Sequence, residues 1–197
     1  MLFKECTITT KRSIMYESDK IVELTNCSNN LKKRAYTAKC DIKEGTTLLV
    51  SKGVVLKDNV PNKLLKKVST ASREAVKSFH LFWEAINTAK MAKLKNEIYT
   101  TLYPTEAELE EISEEEKLEA AFVVASYLRA IRQDLCKEAM VRLYLVMKYN
   151  VMRINQDFNL TFDKSGIFPS ASFLNHSCWP NCIGFYSSVN GSLTIFF

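Results

Sequence analysis

The sequence predicts an α+β fold in which short β-strands flank a helical middle. The first sixty residues contain β-branched runs punctuated by Gly45 and Gly53. Residues 61–149 are almost free of Gly and Pro and place apolar residues at helical spacing, and β-type runs return after that stretch. These observations divide the chain into segments 1–60, 61–149 and 150–197.

The composition indicates a globular protein without a membrane span. Of 197 residues, 47% are hydrophobic and 25% are charged, and no apolar run reaches the roughly 18 residues that a spanning helix needs. The start, MLFKECTITTKRS, lacks the apolar core of a signal peptide. We therefore expect a location in the cytoplasm or nucleus and no membrane partner.

The charge is unevenly distributed along the chain. Residues 1–100 carry 19 Lys and Arg against 10 Asp and Glu, whereas residues 101–197 carry 8 against 12. A basic half can attract nucleic acid, but its lysines are interspersed with acids instead of forming one block. The sequence therefore does not favour a nucleic-acid partner. Strongly salt-dependent binding to DNA or RNA would reverse this expectation.

Short strands are predicted in the first sixty residues. They cover Asp19–Leu24, Arg34–Ala38, Thr46–Val50 and Gly53–Leu56. Pro61, next to Asx residues, ends this pattern because proline lacks a donor for a β-ladder.

Helices are predicted in the middle segment. One helix is predicted to end at Pro104, and its apolar stripe consists of Ala75, Phe79, Phe82, Trp83 and Ile86. A second helix start is predicted at Thr105, and a third at Ser113, which precedes three glutamates in a capping-box pattern. The stripe of that third helix is assigned to core packing and consists of Leu118, Phe122, Ala125 and Leu128. A fourth helix is predicted from Leu135 to Tyr149.

A hairpin is predicted near the end of the printed sequence. Asn190-Gly191 lies between the runs Ile183–Tyr186 and Leu193–Phe197. Asn-Gly favours a type I′ turn because both central residues need positive φ.

The sequence lacks the general motifs that would identify a catalytic or metal-binding site. The sequence contains no G-x-S-x-G, P-loop, H-E-x-x-H or G-x-G-x-x-G string. The six cysteines form no C-x-x-C pair. They are interpreted as free thiols and not as metal ligands or disulfide partners. Cys178 and Cys182 alone do not supply the four ligands of a structural zinc site, so no metal is predicted. His80 lies in a helical stripe and is interpreted as structural.

One string stands out, between Gly166 and Cys182. It reads G-I-F-P-S-A-S-F-L-N-H-S-C-W-P-N-C and combines an apolar stem with side chains that bond their own backbone. From the residues alone, a rigid loop around a buried His176 is the simpler interpretation.

This string resembles the SET domain of protein lysine methyltransferases, in particular the split-SET branch of SMYD-like proteins and SET proteins with TPR repeats. Residues 166–181 follow the family pattern nearly throughout. Upstream, A-K-C-D-I-K-E-G-T-T-L-L at 38–49 is similar to the family's first strand pair. The resemblance implies a SET-type β fold of short strands, with segments 1–60 and 150–197 as its two parts and segment 61–149 as a helical insertion.

By resemblance, the chain is a protein lysine N-methyltransferase that uses S-adenosylmethionine and takes a protein substrate, histone or otherwise, with a lysine acceptor. The family holds this cofactor with the Asn and His of N-H-S-C and with its G-x-G strand. These roles carry over to Asn175 and His176, and to Lys33, Arg34 and Ala35.

Two departures from the family pattern bear on activity. The glycines of G-x-G are replaced by Lys33 and Ala35, whose Cβ atoms are expected to obstruct a close backbone approach. The sequence ends at Phe197, before the family's tyrosine segment, so the chain is expected to be truncated and inactive, and no catalytic residue is assigned. The alternative is a catalytically silent SET-fold module for protein interaction.

Overall fold

The structure, a computed structural model, describes residues 21–26, 34–56, 60–87, 91–154, 164–175 and 177–197. It contains both helices and strands, which confirms the α+β fold class. The chain forms two compact units. The discontinuous unit lies within Met1–Gly53 and Met152–Phe197, and the helical unit is Val54–Val151. No helix in the described ranges has both the length and the apolar character needed to cross a membrane.

The strands are short, and the pairs β1–β2, β3–β8, β5–β6 and β7–β8 are antiparallel. Their bounds are β1 Val22–Asn26, β2 Arg34–Ala38, β3 Thr47–Lys52, β4 Val54–Val55, β5 Met152–Ile154, β6 Lys164–Ile167, β7 Ile183–Ser187 and β8 Ser192–Phe196. In the discontinuous unit, β1 pairs with β2 and β5 pairs with β6. Strand β8 lies between β3 and β7. The predicted strand at Asp19–Leu24 corresponds to β1, and Asp19 lies outside the described residues.

Strand β8 joins the two sequence segments of the discontinuous unit. The Phe197 N–H donates to the Thr46 carbonyl at 3.0 Å, and the Gly45 N–H donates to the Phe197 carbonyl at 2.7 Å. The β3–β8 register shifts between Thr47 and Leu49. A bulge lets two successive residues oppose one on the partner strand, and both Leu48 and Leu49 are buried.

The helical unit contains a core of aromatic and aliphatic side chains. Its helices are α1 Asn62–Leu65, α2 Arg73–Ile86, α3 Ala92–Thr101, α4 Glu114–Ile131 and α5 Lys137–Asn150, with 3₁₀ helices at Thr70–Ser72 and Ala107–Glu111. The Phe79 ring contacts Tyr127 and Tyr144 edge to face, at centroid distances of 5.2 and 5.6 Å. Phe82 and Ile86 are also fully buried, which confirms three residues of the predicted stripe, whereas Ala75 and Trp83 are half-buried.

Helix α4 begins where the capping pattern predicts. The Ser113 hydroxyl accepts a hydrogen bond from the Glu116 N–H at 3.3 Å. Three glutamates occupy the first turn, where carboxylates stabilise the positive end of the helix dipole. The helix ends at Arg132, which adopts a left-handed conformation with φ of 58°.

Two helix predictions are wrong in their extent. The stretch from Ala75 to Pro104 forms two helices instead of one, because the Asn87 side chain donates to the Trp83 carbonyl at 2.8 Å and ends α2. The segment after Thr105 is a 3₁₀ helix and not an α-helix. Both the N–H and the hydroxyl of Thr105 donate to the Glu108 carboxylate, at 2.8 and 2.7 Å, and this closes a tight turn.

The core face predicted for α4 is also wrong. Leu118 and Phe122 are 69% and 61% exposed. The buried face consists of smaller or β-branched residues and one tyrosine, namely Ala120, Val123, Val124, Tyr127 and Ala130. Small side chains let α4 pack closely on α2 and α5, and the larger Leu118 and Phe122 remain on the outside.

The β7–β8 hairpin is confirmed, but its predicted type I′ turn is wrong. Ser187 pairs with Ser192, which leaves a four-residue loop. Gly191 has φ of +59°, and Asn190 is not among the described residues with positive φ. A two-residue type I′ turn needs positive φ at both of its central residues, so this loop belongs to a longer class.

Candidate functional site

A cleft of about 380 Å³ lies within the discontinuous unit. Strands β1, β2, β3, β7 and β8 and described residues of the loop 174–182 contribute to it. The cleft residues are Val22, Tyr36, Ala38, Ile42, Leu48, Leu49, Leu174, Asn175, Ser177, Pro180, Asn181, Cys182, Ile183, Gly184, Ile195 and Phe197. Most of these side chains are apolar, and the polar ones come mainly from the loop. Such a mixture of apolar walls and few polar groups is typical of small-molecule sites.

The strand alternation of β2 decides which of its residues reach the cleft. Successive side chains point to opposite faces of a strand, so Tyr36 and Ala38, which line the cleft, share a face. Ala35 lies on the other face. The Thr25 hydroxyl of the neighbouring strand donates a hydrogen bond to the Ala35 carbonyl at 3.2 Å. The same hydroxyl lies 2.8 Å from the hydroxyl of Thr37.

Strand β2 packs against the short 3₁₀ helix Ala171–Phe173. The Arg34 guanidinium carbon lies 4.9 Å from the centre of the Phe173 ring, a cation–π geometry. The Tyr36 ring meets the same Phe173 ring edge to face at 6.5 Å. Phe173 is almost fully buried. Its ring therefore sets the distance between β2 and the loop that begins at residue 174.

Buried hydrogen bonds hold the base of that loop. The N–H and the hydroxyl of Ser172 both donate to the Phe168 carbonyl, at 2.9 and 3.1 Å. The Leu174 N–H donates to the Ala171 carbonyl at 3.0 Å. Asn175 comes directly after this anchored segment and is exposed at the cleft. Its amide side chain is therefore placed by a rigid base and remains accessible.

The loop turns back towards β7 through polar side chains of its own. The Ser177 hydroxyl accepts from the Trp179 N–H at 3.2 Å, which is the local side chain-to-backbone bond expected of serine in a turn. Trp179 itself is 93% exposed.

Most of the chain matches one protein-family model. The family model described as SET domain matches residues 33–197. The chain belongs to the SET-domain family. SET domains are, as a family, protein lysine methyltransferases that use S-adenosylmethionine and act on protein substrates. A search of curated proteins found no match to the chain.

The predicted cofactor residues of this SET domain fall into three groups. Asn175 lines the cleft. Arg34 and Ala35 do not line it, although Arg34 reaches the Phe173 ring beside it. Lys33 and His176 lie outside the described residues.

Sequence reasoning missed polar residues of the SET-domain cleft, among them Tyr36 and Asn181. The sequence pattern around each of these two residues contained a clue to its position. Tyr36 lies two residues after Arg34 and therefore shares its strand face. Asn181 closes the same N-H-S-C-x-P-N string that contains Asn175.

The thiols near the cleft differ in their surroundings. Burial raises the pKa of the Cys182 thiol above its ordinary value, which favours the protonated form at neutral pH. The Cys182 thiol donates to the Asn181 side-chain oxygen at 3.4 Å. Cys178 is exposed. Within the ranges that the structure describes, no three metal-binding side chains come together.

Proposed function

We propose that this SET-domain chain binds S-adenosylmethionine in the cleft between β2 and the loop 174–182, as part of a protein lysine N-methyltransferase. The observation that carries the proposal is that Asn175, from the N-H-S-C string, and Tyr36, from the strand that contains Arg34 and Ala35 of K-R-A, line one cleft. These two strings are distant in sequence and are the ones that resemble the family's cofactor-binding motifs.

The cleft fits such a cofactor in size and chemistry. Its volume of about 380 Å³ lies within the roughly 300–1,000 Å³ of small-molecule sites. The apolar side chains suit a purine ring, and the amides of Asn175 and Asn181 supply the donors and acceptors that an amino-acid group requires. The methyl group of Ala35 lies on the opposite face of β2, so it does not fill this cleft.

When bound, S-adenosylmethionine supplies an electrophilic methyl group on a sulfonium. The residues of this chain orient the bound cofactor and exclude water from it. Phe173 and the Ser172 hydrogen bonds keep Asn175 in place, and the leucines of β3 exclude water from the cleft floor. Orientation of this kind contributes up to about 7–11 kcal/mol in well-aligned systems, more than the roughly 4.6 kcal/mol that deprotonating a lysine of pKa 10.4 costs at pH 7.

We further propose that the chain belongs to the split-SET branch. The helical unit, Val54–Val151, lies in sequence between the two segments of the discontinuous unit, as an insertion in a SET domain would. The substrate is proposed to be a protein with a lysine acceptor, and the location to be the cytoplasm or nucleus.

Calorimetric titration of the purified chain with S-adenosylmethionine, and with its homocysteine product, tests the cofactor proposal. Asn175→Ala removes an amide expected to bond a charged group, which is worth about 1.5–3 kcal/mol, so affinity should fall by about tenfold or more. Asn96→Ala, at an exposed position of α3, is the matched control and should bind as wild type does.

The two possible failures are distinct. If Asn175→Ala binds with unchanged affinity, Asn175 is not part of the site. If the wild-type chain binds neither compound, the cofactor proposal fails and the silent interaction module is favoured.

A further inference from the structure

Helix α4 has a second apolar face that no described element covers completely. Leu118, Ala121, Phe122, Ala125 and Leu128 recur at three- and four-residue spacing, so they form one stripe. Leu118 and Phe122 are mostly exposed, and the other three are partly exposed. Single exposed apolar residues are common, but a continuous stripe is typical of an interaction surface.

A groove adjoins the N-terminal half of this stripe. It has a volume of about 430 Å³ and lies between α4, α5 and the 3₁₀ helix Ala107–Glu111. Its apolar walls are Leu109, Leu118, Ala121, Val141 and Leu145. All of these residues belong to the helical unit. The stripe and the groove together form what we call the α4–α5 face.

The α4–α5 face is bordered by a strongly acidic segment. Residues 106–119 contain eight glutamates and one lysine, a net charge of −7 in a chain whose net charge is +5. Glu110, Glu114 and Glu138 line the groove itself. These charges repel nucleic acid and anionic lipid surfaces and attract cationic groups.

Two of the cations that line the groove already have partners. Lys117 forms an ion pair with Glu114 at 2.7 Å. The Arg142 guanidinium is 5% exposed and donates to the carbonyls of Tyr99 and Pro104. Lys137 adds a further positive charge to the groove lining. The groove lining itself thus carries three carboxylates and three cations. Lys148 pairs with Glu116 and Glu119. The remaining glutamates of 106–119 still leave the border of the groove with an excess of negative charge.

We propose that the α4–α5 face docks an amphipathic segment of a partner protein that is rich in lysine or arginine. The apolar side of such a segment fills the groove and covers Leu118 and Phe122, and its cationic side meets the acidic border. Apolar contact provides affinity, and charge complementarity provides specificity and a fast encounter. The proposal goes beyond the proposed function, because it concerns only the helical unit and does not require cofactor binding.

Fluorescence anisotropy of the full chain with a labelled probe tests this proposal. The probe is an 18-residue peptide with leucines at three- and four-residue spacing and lysines elsewhere. The variant Leu118→Ser/Phe122→Ser changes two exposed side chains and should bind the probe at least about tenfold more weakly, because apolar burial is lost. Val189→Ser, which alters a 92%-exposed apolar residue in the discontinuous unit, is the matched control and should bind within about twofold of wild type.

A second peptide, with glutamate in place of every lysine, separates charge from apolarity. It should bind at least about tenfold more weakly than the lysine peptide at low salt. The proposal is overturned if the double variant binds the lysine peptide as wild type does, or if both peptides bind equally. It is also overturned if sedimentation shows that the chain self-associates and the double variant does not, because a second copy then occupies the face.

Discussion

Replacing Arg142 by alanine is expected to destabilise the helical unit by about 3 kcal/mol. Arg142 is the charged residue among the buried side chains of the described ranges, and it has carbonyl partners. Its Nε donates to the Pro104 carbonyl at 3.3 Å, and its Nη2 donates to the Tyr99 carbonyl. The guanidinium carbon also lies 4.1 Å from the centre of the Tyr99 ring.

The magnitude follows from opposing contributions. Two hydrogen bonds to a charged group are worth about 1.5–3 kcal/mol each, and a desolvated cation–π contact adds up to about 2 kcal/mol. The alanine variant no longer has to desolvate a cation, which returns several kcal/mol, but it leaves the buried Pro104 carbonyl and the part-buried Tyr99 carbonyl without that donor. We expect the net loss to stay near 3 kcal/mol, at the upper end of ordinary single substitutions.

Urea unfolding monitored by tryptophan fluorescence measures this loss. Trp83 lies on α2 with the Lys95 ammonium 5.0 Å from its ring centre, whereas Trp179 is almost fully exposed. In a Trp179→Phe background, Trp83 reports on the helical unit alone. With a urea dependence of about 2 kcal/mol per molar, the midpoint should fall by about 1.5 M.

The matched control is Arg129→Ala, which removes an exposed arginine of α4 and should cost no more than about 0.5 kcal/mol. If Arg142→Ala lowers the midpoint no more than this control, the hydrogen bonds to the two carbonyls contribute no net stability, and the reasoning is refuted.

Two further predictions concern packing and pH. In Gly53→Ala, the added Cβ overlaps the Ile167 carbonyl oxygen and the Phe168 ring, so thermal unfolding by circular dichroism should show a loss of about 2 kcal/mol or more. Gly191→Ala meets no neighbouring atom and should cost only about 1 kcal/mol of backbone strain, and equal losses would contradict the collision. Burial lowers the pKa of His80 against the opposing effect of Glu84. Stability should therefore fall as pH drops below about 6.5, because the unfolded chain takes up the proton first. The slope should disappear in His80→Gln, and an unchanged slope in that variant would contradict the assignment.

Local patterns in the sequence predicted the local features of the fold. Ser113 caps α4 because a hydroxyl and the backbone three residues later are sufficient for that bond. Phe79, Phe82 and Ile86 are buried as their spacing predicts. The rigid loop around a buried His176 stays a prediction, because His176 lies outside the described residues, and the structure shows only that the base of the loop is buried and hydrogen-bonded.

Features that depend on distant pairing could not be predicted in the same way. Helix α4 is apolar on two sides, so its periodicity alone could not decide whether Phe122 or Val123 faces the core. The partners of Arg142 lie 38 and 43 residues away in sequence. The role of Tyr36 at the cleft depends on how β2 packs against Phe173. The family resemblance indicated which strings to examine, but only the fold gave their side-chain directions.

The place of β8 between β3 and β7 has a consequence for the order of folding during synthesis. The helical unit is contained in Val54–Val151, so all its internal contacts are available once that stretch has left the ribosome. Strand β3 instead pairs with Ser192–Phe196, and the ribosome makes that strand more than a hundred residues later. Such non-local pairing slows folding because a long loop must be closed before any contact offsets its entropy. If the helical unit folds first, less flexible chain remains between β3 and β8, so we expect the β3–β8 pairing to form after the helical unit.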